Sequence, residues 1–135
     1  MKKKALVLAV VLLLCLSAVL GGCGRKDLST LKEVSWEGTE LTVSLGENKG
    51  TGCIWDTKIA DDKVIDFSIN RVFKLQFGSS EGAGTLEAGF VGVGEGTTTI
   101  TCTTPVSWDG KGEGLTYIVT VTVNADGTIK AAEIN

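Results

Sequence analysis

Apolar residues recur at every second position along most of this chain, a period that builds strands and excludes amphipathic helices. Leu41, Val43 and Leu45 alternate with Thr42 and Ser44. Tyr117, Val119, Val121 and Val123 oppose Thr116, Thr120 and Thr122. Thr98, Ile100 and Cys102 share one face, as do Ala88 and Phe90, and Cys53, Trp55 and Ile59 share a parity. Residues 64–69 and 72–77 read as two further strands separated near Asn70-Arg71. Asn124-Ala125-Asp126-Gly127 is a turn signal before a last strand over 128–134. From Glu33 onward no stretch shows period 3.6. Seven or eight short strands, each with one apolar face, predict an all-β domain. The economical arrangement is two antiparallel sheets packed face to face, an immunoglobulin-like β-sandwich.

The start of the chain follows different rules. Lys2, Lys3 and Lys4 precede an apolar run from Ala5 to Leu20, which at 16 residues falls short of the roughly 20 that span a bilayer. A basic start and a short apolar run are the marks of an export leader. The run closes on Leu20-Gly21-Gly22-Cys23, which resembles the bacterial lipobox, in which the Cys is acylated and becomes the new N-terminus. The expected organisation is a leader over 1–22, a lipidated Cys23 and tether over 23–32, and a sandwich over 33–135. Such a protein sits outside the cytoplasm, lipid-anchored to the bacterial cell membrane. Losing the three leader lysines leaves 10 basic residues against 16 acidic ones, a net charge of −6. That charge disfavours nucleic acid and anionic headgroups, so membrane contact falls to the anchor.

Two cysteines, Cys53 and Cys102, remain for the fold, both on inward-facing parities. In an exported protein they predict one disulfide, with a pair of buried free thiols as the alternative. The chain has no His, which removes Ser-His-Asp triads, Cys-His pairs and His-ligated metals. This favours a binding protein over an enzyme and calls for no cofactor. Asp61 and Asp62, with Asp56 and Asp66 nearby, lack the spacing of a calcium loop and read as a solvated acidic turn, not a metal site.

Three segments interrupt the alternation. They are Glu47-Asn48-Lys49-Gly50-Thr51-Gly52 leading into Cys53-Ile54-Trp55, then Glu81-Gly82-Ala83-Gly84-Thr85, then Pro105-Val106-Ser107-Trp108-Asp109-Gly110-Lys111-Gly112. In order and spacing they resemble the loops of the chagasin family of cysteine-peptidase inhibitors. That family carries an N-P-T-T-G-Y-x-W segment, a G-x-G-G loop and an R-P-W loop. Here they correspond to Asn48 through Trp55, to Gly82-Ala83-Gly84-Thr85 and to Val106-Ser107-Trp108. Lys49 and Gly50 stand where the family has Pro and Thr, Val106 and Ser107 where it has Arg and Pro, and Cys53 where it has an aromatic.

The resemblance implies three loops side by side at one end of the sandwich, closing on the cleft of a papain-like cysteine peptidase without a covalent step. It implies a wedge formed by Asn48, Lys49, Gly50, Thr51 and Gly52. It adds a second contact at Gly82, Ala83, Gly84 and Thr85 and a third at Ser107 and Trp108, on a monomeric inhibitor. Trp55, just past the wedge, belongs by parity to the core. Lys49 and Gly50 would loosen the first loop before binding. The stretch from Val91 to Thr101 is also similar to bacterial immunoglobulin-like repeats. The alternative is therefore a surface-displayed binding or spacer module without inhibitory activity.

Overall fold

The computed structural model describes residues 27–76 and 82–135; the leader, Cys23, Phe77 and Glu81 lie outside them. The described residues form a short 3₁₀ turn, Leu28–Thr30, and eight strands. These are β1 (Lys32–Glu37), β2 (Glu40–Asn48), β3 (Asp56–Ile59), β4 (Ile65–Leu75), β5 (Ala83–Gly92), β6 (Gly96–Thr103), β7 (Thr116–Val123) and β8 (Ile129–Ile134). Two four-stranded sheets result, in the orders β1-β2-β5-β4 and β3-β6-β7-β8. Every pairing between neighbours is antiparallel. The first sheet and β3-β6-β7 reproduce the strand order of a seven-stranded immunoglobulin sandwich, with β8 added outside β7.

The alternation produces this architecture directly. Leu41, Val43 and Leu45 of β2 and Leu86, Ala88 and Phe90 of β5 face Ile100 and Cys102 of β6 and Val119, Val121 and Val123 of β7, all buried. The intervening Thr and Ser side chains lie on the outer faces.

Two expectations are corrected here. The stretch read as two strands is one, β4, which carries a bulge between Phe67 and Arg71 where it passes β5. Residues 28–30, assigned to the tether, form a turn seated on β2. The Leu28 carbonyl lies so close to Gly46 that a Cβ there would meet it at 1.6 Å, and the Gly46 amide donates to the Leu31 carbonyl at 3.3 Å.

The topology gives the sandwich two unlike poles. β2, β4 and β6 run into the three irregular loops at one pole, where β1 also begins. The turns β1–β2, β5–β6 and β7–β8 lie at the other.

Candidate functional site

The first loop is a closed hairpin. Asn48 and Cys53 exchange both backbone hydrogen bonds, 2.9 and 3.0 Å, and leave Lys49, Gly50, Thr51 and Gly52 to turn the chain. Gly52 takes φ +85°, a conformation that disfavours any side chain. The looseness expected from Lys49 and Gly50 is thus countered by pairing at the base of the loop.

The third loop organises itself. The Ser107 hydroxyl donates to Asp109 Oδ1 at 2.7 Å and accepts from the Gly112 amide at 2.8 Å. The Lys111 amide donates to the same Asp109 oxygen at 3.0 Å. These bonds, the Ser107 hydroxyl foremost, hold the exposed Asp109 carboxyl below the usual carboxylate range. Val106 and Glu113 close the loop as an isolated bridge. Ser107 thus supplies the bend of this loop by hydrogen bonding.

The loops are tied to one another. The Thr51 hydroxyl donates to the Trp108 carbonyl at 2.7 Å, and Asn48 Nδ2 reaches the same oxygen at 3.4 Å. The Lys49 amide donates to the Gly82 carbonyl at 3.2 Å, joining the first loop to the second. Lys49 Nζ sits 4.2 Å above the Phe73 ring, a cation–π contact to β4. The structure therefore brings together all three segments singled out in the sequence.

It also sorts their residues. Lys49 and Gly50 are exposed; Thr51, Gly52, Gly82, Ser107 and Trp108 are half-buried and line the pole. Asn48 is buried, and its Oδ1 has no hydrogen-bond partner among the described residues. Ala83 and Gly84 are buried in β5, with a Cβ at Gly84 excluded by the Lys74 carbonyl at 2.3 Å, while Thr85 is half-buried on the same strand. These residues hold the pole from beneath, so the available contact surface is narrower than the motif.

The predicted disulfide is overturned. Cys53 and Cys102 are both free and buried. Cys102 lies on β6, and Cys53 sits at the closure of the first loop, where its thiol meets the Thr104 hydroxyl. Thr104 is two residues past Cys102, about 7 Å further along the strand direction. Parity aimed both thiols inward but at different depths. Burial pushes the Cys53 thiol up, with Thr104 opposing, and pushes Cys102 up to about 11, with Arg71 opposing. Raised thiols of this kind are unreactive.

Sequence reasoning missed the supports under the pole. Trp55 is core, as its parity required, and its ring stacks on Tyr117 at 5.0 Å. Its indole N–H donates to the Gly46 carbonyl at 2.5 Å, and its amide donates to the buried Glu47 carboxylate at 2.9 Å. Arg71 of β4 donates to the Trp55 carbonyl at 3.0 Å. Of the two partners that were missed, Glu47 carried a signal, a carboxylate on the inward parity of β2, and Arg71 carried none.

Among the described residues no group of three or more His, Cys, Asp or Glu side chains converges as a metal site. No protein-family model, curated protein or solved structure matches the chain.

Proposed function

We propose that this protein is a reversible, non-covalent inhibitor of papain-like cysteine peptidases, exported and held at the bacterial cell membrane by a lipid on Cys23. The observation that carries the proposal is the convergence of three loops distant in sequence, with Thr51 hydrogen-bonded to the Trp108 carbonyl. A preformed surface spares most of the ordering entropy that a flexible loop would lose on docking. In this reading Lys49, Gly50, Thr51 and Gly52 enter the cleft, and Gly82, Ser107 and Trp108 meet its walls. Asn48, Ala83, Gly84 and Thr85 hold the loops in place. Occlusion needs neither turnover nor cofactor.

The test is titration of the chain from Gly24 onward against papain and a cathepsin with a fluorogenic substrate. Thr51→Arg and Trp108→Ala variants are run beside it. Saturable inhibition weakened by both substitutions is expected. Absence of inhibition at micromolar concentration by a chain shown to be folded overturns the proposal and leaves the binding or spacer module.

A further inference from the structure

The pole that carries the three loops is also the pole at which the chain enters the fold. β1 starts at Lys32, paired with Leu45, three residues before the first loop begins at Asn48. The preceding turn, Leu28–Thr30, is seated on Gly46, which alternates with the inward Leu45 and Glu47 and so faces away from the core. Asp27 fixes this turn at its start: its Oδ1 accepts from the Ser29 amide at 3.0 Å and from the Ser29 hydroxyl at 2.5 Å. The turn from Asp27 to Thr30 therefore lies at the loop pole.

Between Asp27 and Cys23 stand Gly24, Arg25 and Lys26. Four residue steps reach at most about 14 Å even fully extended. A globular protein of about 200 residues has a radius of gyration near 16 Å and is about 40 Å across. A lipid on Cys23 thus holds Asp27, at the loop pole, within about 14 Å of the bilayer, well under the width of such a partner.

We infer that anchoring turns the three-loop pole toward the membrane and masks it, so that a peptidase-sized partner docks only on chain released from the bilayer or set away from it by a longer tether. This rests on the proposed anchor and on the proposed use of the pole. The site is then governed by tether length: binding requires that the geometry permit both engagements at once.

The test has two arms with separate readouts. Lipidated chain is reconstituted into vesicles of phosphatidylethanolamine and phosphatidylglycerol containing a headgroup-labelled acceptor. A donor dye is placed at Lys111→Cys on the loop pole or at Ala125→Cys on the opposite pole; both positions are exposed, while Cys53 and Cys102 are buried. Energy transfer to the bilayer is expected to be stronger from position 111 than from 125. Equal or reversed transfer overturns the inference, as does chain recovered from cells with no lipid on Cys23. In the second arm, vesicle-bound chain is expected to inhibit papain at least about tenfold less than soluble chain, with a 20-residue Gly/Ser insert after Lys26 restoring inhibition. Equal inhibition by bound and soluble chain also overturns it. A soluble chain that inhibits nothing counts against the proposed function alone, and the transfer arm still decides the orientation.

Discussion

Thr51 is the residue on which two loops depend. Its single hydroxyl proton is directed at the Trp108 carbonyl at 2.7 Å, across 57 residues of sequence. Thr51→Val keeps the shape of the side chain and deletes that donor. A hydrogen bond of this kind contributes about 1 kcal/mol net. Papain inhibition is therefore expected to weaken about fivefold to tenfold, with a thermal midpoint lowered by only about 5 °C; an unchanged inhibition constant would separate the clasp from function. Cys102 offers a test of a different kind. Its folded value of about 11 lies above the ordinary 9.0 of a thiol. The neutral thiol therefore contributes fully below pH 9, and that contribution is lost as pH rises through about 11. The loss is on the order of 2 kcal/mol. Urea unfolding of the parent and of Cys102→Val between pH 8 and 11 should show a steeper alkaline decline in the parent. Parallel curves would mean that this thiol does not titrate with unfolding.

At the scale of elements, a strand was legible wherever one of its faces is buried. β2, β5, β6 and β7 each alternate between core and surface, so their residues alternate between apolar and polar. β4 failed that test because it is an edge strand with Ile65 as its sole buried residue. Phe67 and Leu75 on it are more than half exposed. With no buried face there is no parity to read, and the bulge looked like a break. The loops were legible as interruptions, but their convergence was not, since it rests on bonds 57 and 60 residues apart in sequence. The third loop was legible in part, because Ser107-x-Asp109-Gly110 is a turn signature. Its order should depend on the Asp109 charge. That carboxyl is held low, so its bonds to Ser107 and Lys111 persist from neutral pH down through the ordinary carboxylate value of about 3.9 and fail only below it. Amide exchange at Lys111, referred to the intrinsic rate at each pH, is expected to lose protection at that point. In Asp109→Asn, protection should show no such step; a step that survives the substitution would assign it to another group.

For the whole molecule, the decisive contrast is between two tryptophans at the same pole. Trp55 ties the sheets together: it bonds to Gly46 and Glu47 on β2, accepts from Arg71 on β4 and stacks on Tyr117 of β7. Trp108 lies in a loop, half-buried, and its backbone carbonyl makes the links to the first loop. A side-chain truncation at 108 leaves that carbonyl in place, whereas truncation at 55 opens a cavity where the two sheets meet. Trp55→Ala is expected to cost about 3–5 kcal/mol. Against the 5–15 kcal/mol that holds a domain of this kind together, that brings the fold close to its limit. Trp108→Ala should cost under about 1 kcal/mol, as surface substitutions do, yet remove most of the inhibition. Urea unfolding followed by far-ultraviolet circular dichroism, beside papain titration of the same preparations, separates the two effects. If Trp108→Ala destabilised the domain as much as Trp55→Ala, the third loop would be part of the frame rather than a surface presented by it. If neither substitution altered inhibition in the folded fraction, contact with the peptidase would have to come from the first two loops.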